Sequence, residues 1–250
     1  MSAGRTRIDR YLSEKLSIKR KDIRLILARG QVRIDGLVVH DSGQVIDGFS
    51  LVEFGDRVLQ RKKPVYLMMN KPVGVVSATL DAQHTTVIDL LARDDRADLH
   101  IAGRLDLNSS GLLLLTNDGR WSASLSTPQQ SVAKVYRVTV ANALGQPSLG
   151  QPSLGQDYVE AFAKGMVFPY ENLITRPAKL VILSEYEAEV TLVEGRYHQI
   201  KRMFGRFRNP VLALHRIAIG NLCLDPNLLP GQSRVLNDRE VQQAALGGGL

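Results

Sequence analysis

The chain has one cysteine, Cys223, in 250 residues, which excludes an intramolecular disulfide and suits a reducing compartment. No apolar run approaches the roughly 20 residues that span a bilayer, so no membrane association is expected. The start, Met1-Ser2-Ala3-Gly4-Arg5, lacks the apolar stretch of a signal peptide, and a cytoplasmic location is expected. His40, His84, His100, His198 and His215 show no paired metal spacing, and no metal is expected. A phosphate-binding loop is also missing: Gly145-x4-Gly150 is followed by Gln151 rather than lysine.

What is present starts with charge. The net charge is +7, and residues 1–63 carry 14 Lys/Arg against 8 Asp/Glu, while the remainder carries 18 against 17. A basic head on a near-neutral body points to a polyanionic partner. Within that head, Ile8, Leu12 and Leu16 recur at helical spacing, with Arg5, Arg7 and Arg10 at the start of the helix. A second helix is expected over residues 20–29, with Ile23, Ile26 and Leu27 inward and Gly30 as its left-handed cap. Val32 and Ile34 alternate with polar residues, and Asp35-Gly36 turns the chain into Leu37-Val38-Val39. Lys19, Arg20, Lys21, Arg24, Arg29 and Arg33 cluster around the second helix. This helix–helix–hairpin with one basic face, over about residues 5–52, resembles the S4 RNA-binding domain.

Gln60-Arg61-Lys62-Lys63-Pro64 is polar and ends in proline, as a linker would. Beyond it, residues 65–76 predict a buried strand, a turn at Lys71-Pro72 and Gly74, and a second strand. Leu144-Gly145-Gln146-Pro147-Ser148 is repeated at once as residues 149–153, a unit too short for a solenoid and expected to form a surface loop.

Three segments carry candidate chemistry. In the first, Gly103-Arg104-Leu105-Asp106 sits on a polar loop before the run Leu112–Leu115, which is bounded by glycines and predicts a strand covered on both faces. The next acid along, Asp118, lies beyond that strand, so the pair of carboxylates used in glycoside hydrolysis cannot easily form. Asp106 is left as a single nucleophile or base, or as a turn residue bonded to its own backbone. In the second, residues 194–216 hold six basic residues and one acid, and Ile200, Met203 and Phe204 recur at helical spacing. Lys201 and Arg202 project from its first turn, either as a solvated face or as a counterion and phosphate contacts. In the third, Lys134–Val140 alternates as a strand, and Tyr136 is either core or a surface on which a base can stack.

Taken together, these segments resemble the pseudouridine synthase family, in particular the ribosomal RNA enzymes with an N-terminal S4 domain. Arg196-Tyr197-His198-Gln199-Ile200-Lys201-Arg202-Met203 is similar to the small-subunit (16S) enzymes of RsuA type. The resemblance implies that Asp106 is the catalytic aspartate, Tyr136 packs on the target base and Lys201 pairs with the aspartate. It also implies that Arg104, Arg202 and His198 contact substrate, and that Arg5, Arg7, Lys19, Arg20, Lys21, Arg24, Arg29 and Arg33 contact RNA. The implied fold is α+β: a small S4-like α/β domain over 1–60, a linker over 61–64, a catalytic domain over 65–240 on a mixed, mainly antiparallel sheet, and a flexible tail over 241–250. The implied reaction detaches uracil at N1, rotates it and reattaches it through C5, and it needs no cofactor. The implied partner is ribosomal RNA or the pre-ribosomal small subunit, met by a monomer. Two alternatives stand beside this: a synthase for large-subunit or transfer RNA, and a non-catalytic S4-type ribosome-assembly protein.

Overall fold

A computed structural model describes residues 5–92, 94, 96–127, 130–144, 155–169 and 172–246. They divide into two compact units, Met1–Val65 with Asp118–Arg120, and Tyr66–Asn117 with Trp121–Leu250.

The first unit begins with β1 (Thr6–Arg7), α1 (Ile8–Leu16) and α2 (Arg20–Ala28). The strands β2 (Val32–Ile34), β3 (Leu37–Val38), β4 (Val45–Ile46), β5 (Val52–Phe54) and β6 (Arg57–Gln60) follow. The sheet order is β3-β2-β5-β6, all antiparallel, with β1 paired to β4. The helical spacing of Ile8 and Leu12, and of Ile23 and Leu27, puts these side chains into one core with Val32, Ile34 and Val52. Gly30 ends α2 at φ +67°, and Asp35 and Gly36 both take positive φ, as a two-residue hairpin turn demands.

The second unit contains β7 (Tyr66–Lys71), β8 (His100–Ile101), β9 (Ser110–Thr116), α3 (Gly119–Ser126) from Trp121 onward, β10 (Lys134–Val140) and α4 (Gln156–Lys164). Next come β11 (Val167–Phe168), β12 (Leu173–Ile174), β13 (Lys179–Ile182), β14 (Glu187–Leu192) and α5 (Gln199–Gly205). The chain closes with β15 (Val211–Ile219), β16 (Leu222–Cys223), β17 (Ser233–Val235) and α6 (Asp238–Ala245). The sheet runs β13-β14-β10-β15-β9-β7-β17, with β16 on β15 and β8 on β9. Only the β15–β9 pair is parallel among the described strands, so the sheet is mixed and mainly antiparallel. Every residue from Gly111 to Thr116 is buried, as a strand covered on both faces requires. Met68, Leu112, Leu114 and Ile219 pack with Trp121 and Leu125 of α3 and Ala244 of α6.

Two expectations change. Val75-Val76 forms no strand: Val76 makes a single isolated parallel bridge to Thr86, in which Val76 N–H donates to Thr85 O and Val87 N–H to Val76 O, both at 3.0 Å, and the pairing extends no further. Residues 241–245, expected in a flexible tail, belong to α6. Asn237 and Glu240 close a reciprocal capping box at its start, Trp121 Nε1 donates to Val241 O at 3.0 Å, and Ala244 is fully buried. The repeat lies, over 145–154, outside the described residues.

Candidate active site

The loop between β8 and β9 carries Asp106, and two buried cations hold it from behind. Lys71, at the end of β7, is fully buried. Its Nζ donates to the carbonyls of Ser109 (2.7 Å), Pro72 (2.9 Å), Asp106 (3.1 Å) and Leu107 (3.4 Å). Arg216 on β15 is equally enclosed, and its guanidinium donates to Leu112 O at 2.7 Å, Gly103 O at 3.1 Å and Arg104 O at 3.4 Å. Ser77 adds a reciprocal pair with Leu105, at 2.7 and 3.1 Å. The loop's carbonyls therefore turn inward to positive charge. The Asp106 side chain, about one third exposed, turns outward.

That side chain lines a cavity of about 660 Å³ together with Arg104, Lys134, Tyr136, His198 and Arg216. Lys201 Nζ stands 3.6 Å from Asp106 Oδ2, and His198 Nε2 stands 3.4 Å from the same oxygen. Tyr136 is mostly buried on β10 yet reaches the cavity, with the Arg216 guanidinium 5.9 Å from its ring centre. Tyr136 thus fits both alternatives left open by its strand position.

Arg202 does not join this group. Its guanidinium lies 4.2 Å over the ring of Phe168, because neighbouring residues on a helix point about 100° apart and Lys201 takes the direction towards Asp106. Glu194, the one acid of the basic run, shapes the turn into α5. It accepts from Gln199 Nε2 at 2.6 Å, Arg196 Nε at 2.8 Å and Arg176 N at 2.9 Å. His198 takes the left-handed conformation, φ 49°, just before α5. Sequence reasoning did not assign Lys71, Lys134, Glu194 or Gln199 to the site. The signal for Glu194 was its isolation among cations. Lys71 read only as part of a turn.

Burial lowers the Lys71 ammonium to about 8; Asp106 opposes the shift and Arg216 adds to it. Lys134, donating to Leu125 O at 3.0 Å, is lowered to about 8 by the same loss of water and by Arg216. Both folded values lie below that of an exposed lysine, so between about pH 8 and 10.5 the unfolded chain holds more protons than the folded one. These two groups therefore make stability rise with pH across that window. Activity is expected to run the other way, because deprotonated Lys71 loses one donor to its carbonyls and the positive charge under Asp106. Catalytic rate and denaturant midpoint measured at pH 7.5 and 9.5 check this: rate should fall as these lysines add stability. A Lys134→Met variant removes its share of the stability change. A rate that is flat across the window would refute the role of the Lys71 charge.

In the first unit, Arg5, Arg7, Arg10, Arg20, Lys21 and Arg24 line a cavity of about 820 Å³ with Asp9. Burial pushes the Asp9 carboxyl up, but the hydrogen bond from Arg7, at 2.9 Å, the Arg10 N–H and nearby Arg20 hold it below the usual range. Lys19, Arg29 and Arg33 are exposed and lie outside this lining. Arg10 joins the lining although it was not among the expected RNA contacts.

A sequence profile described as RNA pseudouridylate synthase matches residues 65–205. The chain is 48% identical over 236 residues to ribosomal small subunit pseudouridine synthase A of Pseudomonas aeruginosa, covering 94% of this chain and 98% of that protein. It is 38% identical over 235 residues to the protein of the same name from Vibrio cholerae, covering 94% and 97%. For the Escherichia coli K12 protein of that name the identity is 34% over 236 residues, covering 94% and 98%. A crystal structure described as a pseudouridylate synthase superposes with a TM-score of 0.67 at 33% identity, covering 95% of this chain and 99% of that one.

Proposed function

The chain belongs to the RNA pseudouridylate synthase family, and from that premise we propose that it isomerises one uridine of small-subunit (16S) ribosomal RNA to pseudouridine. The small-subunit assignment draws on relatives of that name, matched along nearly their whole length. Asp106 carries the proposal: its carboxylate faces a cavity beside Lys201 and His198, on a loop immobilised by two enclosed cations.

The reaction breaks the N1–C1′ bond and forms C5–C1′. N1 gains a proton, C5 gives one up, and there is no net redox change, so no cofactor enters the scheme. Asp106 acts either as a nucleophile at carbon or as the base that starts elimination. Lys201 holds its ammonium 3.6 Å from the Asp106 carboxylate, and the attraction fixes the direction in which the carboxylate points. Tyr136 packs against the detached uracil, and Arg104, exposed on the loop, helps to keep the nucleotide out of the helix. Eversion costs a few kcal/mol, which these contacts offset. His198 contributes a ring nitrogen 3.4 Å from the same carboxylate oxygen that Lys201 approaches. The first unit acts as an S4-type RNA grip, with the Arg5, Arg7, Arg20, Lys21 and Arg24 cluster meeting phosphates.

Mapping pseudouridines in ribosomal and transfer RNA from a strain lacking the protein tests this. One site in 16S RNA should be lost, and purified protein should restore it on a 16S transcript. Loss of a site in large-subunit or transfer RNA would move the substrate. Retention of every site would favour the non-catalytic assembly protein.

A further inference from the structure

We propose that Tyr197 is a stacking platform for the nucleobase next to the target uridine, an inference that rests on the RNA-modifying reading above. Tyr197 lines the Asp106 cavity, and yet 76% of it is exposed. Its ring lies 3.9 Å from that of His198 at an interplanar angle of 20°. One face is thus backed by an imidazole and the other is open. His198 in turn stands 3.4 Å from the Asp106 carboxylate. The order along this side of the cavity is carboxylate, imidazole, phenol, then solvent. A base laid on the open phenol face would sit one further layer out, within reach of a nucleotide adjoining the one at Asp106.

Three features separate this from an ordinary surface tyrosine. The ring is held flat by a neighbour whose backbone is fixed at φ 49°, a conformation uncommon outside glycine. The turn that carries it is tied from below by Glu194 through Arg196 and Gln199. The surrounding cavity is cationic, lined by Arg104, Lys134, Arg196 and Arg216 against a single acid, Asp106. A mostly exposed aromatic, with one face against an imidazole and set in a positive cleft, suits a base with its phosphate, and such stacking tolerates any base identity. An everted uridine leaves its neighbour without a stacking partner, and Tyr197 would supply one.

The experiment uses the full chain and a fragment of the 16S transcript that it modifies. A matched fragment carries an abasic residue on either side of the target uridine in turn. Tyr197→Ala should weaken RNA binding and raise KM roughly tenfold or more with kcat little changed, and Tyr197→Phe should restore binding. One abasic position should weaken wild type by a similar factor and leave Tyr197→Ala unaffected. If Tyr197 only buttresses His198, Tyr197→Ala will lower kcat, RNA affinity will hold, and the abasic penalty will be the same in both proteins; that result overturns the proposal. If wild type modifies no 16S fragment, the functional reading falls and the platform falls with it. If wild type modifies RNA but Tyr197→Ala binds normally, only the platform is lost.

Discussion

Asp106→Asn is expected to reduce pseudouridine formation by about a thousandfold or more, with RNA affinity and folding retained. Asparagine keeps the shape of the side chain but can neither attack carbon nor take a proton at neutral pH. The fold should tolerate it because the loop is held through its backbone. The carbonyl of residue 106 accepts from Lys71, and the amide of Ser109 donates to that same carbonyl at 3.0 Å. Among the described residues the side chain makes a part-exposed ion pair with Lys201 and a part-exposed contact with His198, and such contacts are worth little to stability. The C5 hydrogen must leave as the C5–C1′ bond forms, so release of tritium from RNA labelled at C5 of uridine measures the step directly. A variant retaining a tenth of the wild-type rate would remove Asp106 from the chemistry.

Gly111→Ala carries the second large effect, on stability and activity together. Gly111 sits at φ +103°, where a side chain is already strained. A Cβ there would also collide with the backbone carbonyl oxygen of Arg216 and lie 2.7 Å from its nitrogen. The close approach arises because Gly111 pairs with Arg216 across the parallel β9–β15 contact. Backbone cannot swing aside as a flexible side chain can, so the strands must separate. Separation would pull the Arg216 guanidinium from Gly103, Arg104 and Leu112, and with it the rear support of the Asp106 loop. A loss of about 3 kcal/mol or more is expected, measured by denaturant unfolding, together with most of the activity. Gly103→Ala is the control. It shares the strained backbone at φ +91°, but nothing lies within 4 Å of its added methyl. Its cost should stay nearer 1 kcal/mol. Equal costs at the two positions would mean that the β9–β15 approach is unimportant.

Much of the site was readable because local chemistry wrote it. Asp106 stood out as a single acid before an unbroken apolar strand. Lys201 was singled out by the family resemblance, since helical spacing alone set Lys201 and Arg202 together on the first turn of α5. The start of α6 was also written in Asn237-Asp238-Arg239-Glu240, a capping signature that the expectation of a flexible tail left out of account. A pair of adjacent cations does not say which of them faces the carboxylate: Lys201 does, while Arg202 lies over Phe168, distant in sequence.

Periodicity and turn chemistry alone determined the two short helices of the head, the Asp35-Gly36 hairpin and the buried strand behind Asp106, since each depends on residues within a few positions of one another. Family spelling determined the reaction. Tertiary structure decided how the reactive loop is held: Lys71 meets carbonyls up to 38 residues away and Arg216 reaches one 113 residues away. A buried cation acquires its partners only when distant strands come together, and no local pattern encodes that meeting.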